Sequence, residues 1–411
     1  MAFSEKIYGL LGRNLSHSFS KEIHEKLGAY NFFMWEREPE DIPSFFEKRE
    51  FDGLMITIPY KERVLEYLDS MSPEVKALSC CNLILKDEGR LKGFNTDVYG
   101  FKYMVKTAGI SIEDEKVLVL GDGATSRTVI HCLKEENPKE ILQAKRKGPF
   151  AVKDNVKGLT YKDDFKDAAI VINTTPVGMF PKTGEALVDL SQFPKAEGVL
   201  DVIYNPLYSK LLLDAKDRGI KFSNGLPMLI AQAMEAGEIF LNGKMPEGRT
   251  KEEWIERILK EEQSRLKNFV FIGMPGSGKT SIGKKTARDL GKVFVDTDEL
   301  IEEALGKSCE DIIREKGEEF FRAQELVAAK AAGEKTGQVI STGGGMVLQE
   351  KAMDYLRQNS EVVYIKRPLE KLDMKGRPLS ENMDVLRKLY ELRKPLYERY
   401  AETVYDNSED Y

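Results

Sequence analysis

"GMPGSGKT", residues 273–280, decides the fold of the last third of the chain. Gly273, Gly278, Lys279 and Thr280 satisfy G-x-x-x-x-G-K-[ST], between an apolar run, "FVFIG", and a helical pattern, "SIGKKTARDLG". A glycine-rich turn from strand to helix lets backbone N–H groups converge on phosphate oxygens, and the helix N-terminus adds its dipole. The spacing predicts a P-loop on a parallel sheet. Gly276, Ser277 and Gly278 would wrap the phosphates, Lys279 would reach the β- and γ-phosphates, and the Thr280 hydroxyl would ligate Mg²⁺.

Downstream of the loop, "VFVDTDE" is expected to place Asp296 and Asp298 at a strand end, on one face because side chains alternate. One carboxylate suits the water shell of the metal (Asp296) and the other an acceptor hydroxyl (Asp298); a helix N-cap would explain a single Asp equally well. "FFRAQE" puts Arg322 on a helix, and "STGGG" ends a strand with consecutive glycines. Such a run costs backbone entropy unless something must approach the main chain closely. "GRPLS" and "LRKPLYERYA" add Arg377 and Arg393.

Upstream lie 272 residues of the 411, more than one hydrophobic core usually supports, so further domains precede the P-loop. With 41% hydrophobic and 32% charged residues the composition is that of a soluble globular chain, and a net charge of −6 argues against nucleic acid as a partner. Small anions met by local basic clusters fit better. The four cysteines lack CxxC spacing and the three histidines are too few for a histidine-based zinc site. With no long apolar run and no signal-peptide architecture, no membrane is expected and a cytoplasmic location is.

From residue 1 to about 100, "KIYGLLG", "YNFFMWE", "FDGLMITIP" and "CCNLILKDEG" alternate with amphipathic stretches in a βα pattern. Between 116 and 222, "KVLVLG", "EILQA", "AIVINTTP" and "GVLDVIY" are the apolar strands of a parallel sheet buried on both faces. In "VLVLGDGATSR", Gly121-x-Gly123-x-x-Ser126 ends one strand and opens a helix, as a dinucleotide-binding turn must. The next strand runs into Lys145, Arg146 and Lys147, a cluster suited to the 2′-phosphate of NADP or, alternatively, a solvated turn. Lys61 after "GLMITIPY" and Asp97 in "GFNTD" could relay a proton if folded together, or could be two surface charges. Ser18 and Ser20 in "SHSFS" could bind a small carboxylate, though a helix cap explains at least one of them. Before the P-loop strand, Thr250 and Glu253 form a capping-box signature. Trp254, Ile255, Ile258 and Leu259 make an apolar stripe, so the joint is expected to be a helix packed on the front segment.

The back segment resembles shikimate kinase through GxxGxGKT, DTD, FRxxE, GGG, GRPL and RxPLY, in that order. The resemblance implies ATP and Mg²⁺, with Asp298 on the attacking shikimate hydroxyl and Arg322 and Arg393 on the carboxylate. It further implies Gly344 and Gly345 at the ring hydroxyls, Arg377 on a lid over the phosphates, and Asp296 on Mg²⁺ through water. The lid between "RPLEKL" and "GRPLS" is trimmed to "DMK", where the family usually has a longer, Arg-rich segment.

The front segment resembles shikimate dehydrogenase from residue 5 to about 240, through "GRNLSHSFS", "GLMITIPYKE", "GFNTD", "GDGATSR", "NTTPVGM", "DVIYNP" and "GLPMLIAQA". That implies Ser18 and Ser20 on the substrate carboxylate, Thr57, Asn82, Tyr204 and Gln232 on its other groups, and Lys61 with Asp97 as the catalytic pair. NADP(H) would be held by Gly121, Gly123, Ala124, Ser126, Arg127, Lys145 and Arg146. Met55 stands where an Asn is common, Leu83 where a Thr is, and Ala124 where a Gly is.

The fold class expected is therefore α/β throughout. A substrate domain (1–100, completed by helices at about 225–266) and a Rossmann NADP domain (101–224) precede a P-loop kinase (267–411). The resemblances imply a bifunctional enzyme that reduces 3-dehydroshikimate with NADPH and phosphorylates shikimate with ATP, and a homodimer is left open. The alternatives are a quinate/NAD preference at the front, or one inactive, regulatory half.

Overall fold

The apolar runs before the P-loop form two sheets, and those around it a third, in the computed structural model, which describes residues 4–16, 18–145, 156–160, 165–372 and 383–409. Among the described residues the first sheet runs Tyr30–Glu36, Ser4–Gly12, Gly53–Ile56, Leu83–Asp87, Arg90–Phe94, Ser70–Met71 from edge to edge. Its first three strands are parallel, but Leu83–Asp87 is antiparallel to both of its neighbours. The repeating βα pattern expected for residues 1–100 is thus interrupted by a hairpin. Its turn residues Glu88 and Gly89 both take positive φ (47° and 78°), the backbone of a two-residue turn matched to strand twist.

The second sheet is wholly parallel, in the order Lys221–Ser223, Gly198–Asp201, Ile170–Asn173, Lys116–Leu120, Glu140–Lys145, Val156–Thr160. Winding reverses at Lys116–Leu120, so a crevice opens at the carboxyl ends of this strand and Ile170–Asn173. Val117 to Leu120 and Ile170 to Ile172 are buried, as expected for strands covered on both faces. The third sheet is also parallel: Val293–Asp296, Gln338–Ser341, Asn268–Ile272, Ser360–Lys366, Thr403–Asp406. The P-loop leaves its central strand, again at a switch point.

The joint before the P-loop is the helix Lys251–Leu266. Its capping box is formed: Thr250 N–H donates to Glu253 Oε2 (2.7 Å) and Glu253 N–H to Thr250 Oγ1 (3.2 Å). Trp254, Ile255 and Ile258 are buried, and Lys251 pairs with Glu235 and Glu238 of the helix Leu226–Phe240. By contact density the chain divides into two units. One comprises Met1–Pro176, Leu187–Tyr204 and Asp214–Glu261 and holds the first two sheets; the other comprises Val177–Ala186, Asn205–Leu213 and Glu262–Tyr411. No helix among the described residues is long and apolar enough to cross a membrane.

Candidate active sites

In the first unit a cavity of about 200 Å³ is lined by Ser18, Ser20, Thr57, Lys61, Asn82, Asp97, Tyr204 and Gln232, so every residue assigned to this substrate from the sequence meets in one place. Asp97 opens the helix Asp97–Ala108, and Lys61 follows the strand Gly53–Ile56. Lys61 Nζ donates to Asp97 Oδ2 at 2.6 Å, and Asn82 Nδ2 donates to Asp97 Oδ1 at 2.9 Å. The pair is not a pair of surface charges. Burial works against the Lys61 ammonium, but the adjoining Asp97 carboxylate outweighs it and holds its pKa above the ordinary value. Asn82 is fixed in turn by the Thr96 N–H on its Oδ1 (2.7 Å) and by its own bond to Thr96 Oγ1 (3.0 Å). The amides of Asn82 and Gln232 are thus engaged with the protein, Gln232 Nε2 donating to the Leu229 carbonyl (2.9 Å).

The helix Ser20–Glu25 has Phe19 at its N-cap and no side-chain bond from that residue; Ser18 Oγ accepts the N–H of Ser20, the first helical residue, at 3.3 Å, so Ser18 has a cap-like role. Ser18 Oγ also donates to Ser20 Oγ at 3.1 Å, two adjacent hydroxyls facing the cavity. Thr125, Met55 and Met228 also line it; nothing in the sequence marked Thr125 or Met228, whose placement depends on the packing of two sheets.

At the crevice of the second sheet, Gly121 has φ +118° and Gly123 caps the helix Ala124–Glu135, which Ala124 begins. A Cβ on Gly123 would meet no described residue within 4 Å at this helix N-terminus, the kind of end that suits a phosphate group. Ser126 is buried and donates to the Gly121 carbonyl (2.9 Å), while Arg127 forms an ion pair with Glu62. Lys145 closes its strand; Arg146, Lys147 and, on the lid, Arg377 lie outside the described residues.

The second unit holds a cavity of about 620 Å³ lined by Gly276, Gly278, Lys279, Thr280, Asp296, Asp298, Arg322, Gly344, Gly345 and Arg393. Gly276 and Gly278 take φ +80° and +95°, and Lys279 Nζ donates to the Gly273 and Met274 carbonyls (2.9 Å each). The strand Val293–Asp296 stops at Asp296, and Asp298 lies in the first turn of the helix Thr297–Leu305. Strand alternation therefore does not bring the two carboxylates together; the helix cap does. Asp296 Oδ1 accepts the Asp298 N–H (3.0 Å) and Oδ2 accepts the Thr280 hydroxyl (3.0 Å), so the helix cap and the bond to the P-loop threonine use different oxygens. Asp298 Oδ1 is buried without a partner among the described residues. Burial first, then the Asp296 and Glu325 carboxylates, push its pKa up to about 7.

Consecutive glycines after Ser341 are each required by a close approach. A Cβ on Gly343 would lie 2.8 Å from Asp298 Oδ1, one on Gly344 2.6 Å from Pro275 Cδ, and one on Gly345 would collide with the Arg322 guanidinium. Arg322 is held by Glu325 (2.6 Å) and Glu318 (2.7 Å), and Arg393 is buried with its Nε unpartnered among the described residues. Glu325, which is buried, took no role in the sequence reading. Its i,i+3 spacing from Arg322 on one helix was the available signal.

Residues 10–84 match the family model for the shikimate dehydrogenase substrate binding domain, and residues 275–411 that for shikimate kinase. A shikimate dehydrogenase (NADP(+)) of Clostridium perfringens strain 13 is 36% identical over 267 residues, spanning 62% of this chain and 98% of its own. The chain belongs to the shikimate dehydrogenase family. Its back segment is a shikimate kinase domain, so one polypeptide joins an oxidoreductase to a phosphotransferase of the shikimate pathway. Among solved structures, shikimate dehydrogenase 1 from Peptoclostridium difficile is 29% identical with a TM-score of 0.57, covering 62% of this chain and 98% of that one. A quinate dehydrogenase from Corynebacterium glutamicum in complex with NAD is 26% identical with a TM-score of 0.54, covering 62% and 99%.

Proposed function

We propose that the two domains run consecutive steps. The front segment reduces 3-dehydroshikimate to shikimate with NADPH, and the back segment phosphorylates the shikimate 3-hydroxyl with MgATP. The domains are read as 1–100 with helices at about 225–266, 101–224, and 267–411. NADPH supplies the hydride that goes to the carbonyl carbon. Lys61, kept as an ammonium by Asp97, gives a proton to the carbonyl oxygen, while Ser18 and Ser20 bind the carboxylate and Thr57 and Tyr204 orient the ring. Gly121, Gly123, Ala124 and Arg127 border the dinucleotide, and Lys145 with Arg146 face its 2′-phosphate.

ATP supplies the phosphoryl group in the second site. Asp298 takes the proton of the attacking hydroxyl, and Arg322 and Arg393 hold the carboxylate beside Gly344 and Gly345. Gly276, Ser277, Gly278, Lys279 and Arg377 neutralise and position the phosphates. The oxygen donors Thr280 Oγ1 and Asp296, 3.0 Å apart, suit Mg²⁺.

The observation that carries this reading is the buried Asp298 Oδ1, without a partner among the described residues, in a cavity shared with the P-loop and two arginines. One reaction tests it: 3-dehydroshikimate, NADPH and MgATP are supplied, NADPH oxidation is followed, and products are identified. Shikimate 3-phosphate formed in step with NADPH oxidation is expected; shikimate that accumulates unphosphorylated would overturn the kinase assignment. The likeness to a quinate dehydrogenase supports a second reading, a front site that prefers quinate and NAD. The ratio of kcat/KM for shikimate with NADP to that for quinate with NAD separates the two. A cytoplasmic homodimer is compatible with both, and sedimentation of the purified chain decides the assembly.

A further inference from the structure

Gln143 lies in the strand Glu140–Lys145, among buried apolar neighbours Ile141, Leu142 and Ala144. Its side chain does not face water alone. Nε2 donates to the Gly121 carbonyl at 2.9 Å and to Ser126 Oγ at 2.8 Å. Ser126 Oγ in turn donates to the same Gly121 carbonyl at 2.9 Å. The three polar atoms close a triangle: Gln143 Nε2 donates into it, the Gly121 carbonyl accepts from both side chains, and the one serine hydrogen is spent inside the protein.

The other neighbouring strand holds the preceding peptide. After Ile170–Asn173, Thr174 Oγ1 donates to the Leu120 carbonyl at 2.7 Å, and the Thr174 N–H donates to it at 3.0 Å. The Gly121 N–H is bonded to the Ala144 carbonyl at 2.8 Å. The dinucleotide turn is therefore gripped from both sides, just where Gly121 adopts φ +118°. A Cβ there would lie 2.6 Å from Thr174 Oγ1, so the grip and the glycine require each other.

Resting on the assignment of this turn to NADP(H), we infer that Gln143 and Ser126 are positioning residues for the dinucleotide-binding turn, and that Ser126 is not itself a ligand of the pyrophosphate. Ser126 is fully buried and its only hydrogen points at Gly121, so it has none to donate to a phosphate. What the pair supplies is a preset orientation of the Gly121 carbonyl, and through the planar peptide a fixed direction for the Asp122 N–H opposite it, at the turn that leads into the helix.

The test is a double-mutant cycle in the full chain, read by NADPH fluorescence titration without substrate and by steady-state KM. Gln143→Met keeps the volume and removes the donors; it is expected to weaken NADPH binding about tenfold, the size of losing buried hydrogen bonds. Gln143→Glu keeps the shape but turns a carboxylate toward an acceptor, and should weaken it more. Ser126→Ala alone should cost about threefold, and the double variant Ser126→Ala with Gln143→Met no more than Gln143→Met alone. KM for shikimate in the dehydrogenase and all kinase constants should stay within about twofold. The inference falls if the two effects multiply, because Ser126 would then contact the cofactor independently. It also falls if Met and Glu behave alike, which is the mark of a mere space-filler. A wild-type chain that binds no NADPH would instead sink the cofactor assignment on which the inference rests.

Discussion

Two carboxylates, one in each unit, stand at the centre of the two sites and are held in opposite ways. Asp97 has an ammonium on one oxygen and an amide N–H on the other. Asp298 is crowded by Asp296 and Glu325, and its buried Oδ1 has no partner among the described residues. The first arrangement keeps a proton on a neighbouring lysine. The second raises the carboxylate's own affinity for a proton, so that it can take one from a substrate hydroxyl. The proposed reduction, which must protonate an oxygen, and the proposed phosphorylation, which must deprotonate one, thus differ in what surrounds the acid.

The largest expected effect breaks the comparison cleanly. Lys61→Ala should lower the dehydrogenase kcat by about 10³-fold and leave the kinase within twofold, and Asp298→Asn should do the reverse. Spectrophotometric NADPH oxidation and coupled ADP release from the same preparation measure both. Loss of both activities in either folded variant would refute the division of labour.

Proton affinity sharpens it next. With Asp298 at about 7 in the free enzyme, its base form is lost as pH falls below 7. Kinase kcat/KM should therefore drop up to about tenfold per unit on the acid side and level off above it. A flat profile between pH 5.5 and 8 would remove Asp298 as the base.

The proposed carboxylate grips differ too, with hydroxyls of Ser18 and Ser20 in one site and a guanidinium packed over Gly345 in the other. Gly345→Ala should displace Arg322 and raise the kinase KM for shikimate about tenfold, the scale of a damaged charge-assisted contact, with KM for ATP little changed. Equal rises in both would mean the whole loop had moved.

The smallest effect concerns acid stability of the first unit. His24 is fully buried, stacked on Phe32 and bonded to Tyr30, and burial lowers its pKa to about 3. The unfolded chain takes up this proton first, near pH 6.5, so stability is complete above that and is lost as pH falls toward 3. The loss is at most ~1.4 kcal/mol per unit. His24→Phe should narrow the Tm difference between pH 7 and pH 4.5 by a few degrees in calorimetry; an unchanged difference would place the acid sensitivity elsewhere.

Most of the architecture was legible because local chemistry dictates it. Glycine spacing fixed both phosphate-facing turns, and continuous apolar runs marked the buried parallel strands. Thr250 with Glu253 marked the start of the joint helix, and the bonds are formed as the signature predicts. The hairpin at Glu88–Gly89 was missed because a Glu at positive φ carries no strong signal of its own. Asp296 and Asp298 were paired on the wrong element, since a strand ending one residue earlier or later changes which periodicity applies.

The sequence by itself therefore determined the elements, the two turns and the list of residue types that the chemistry needs, because each depends on near neighbours in the chain. Only the tertiary structure decided which groups meet: Lys61 with Asp97, Asp298 with Glu325 and the glycine run, and Gln143 with Ser126. Those meetings join residues separated by many positions, and burial there sets which proton is held, which oxygen stays free and which hydroxyl is already spent.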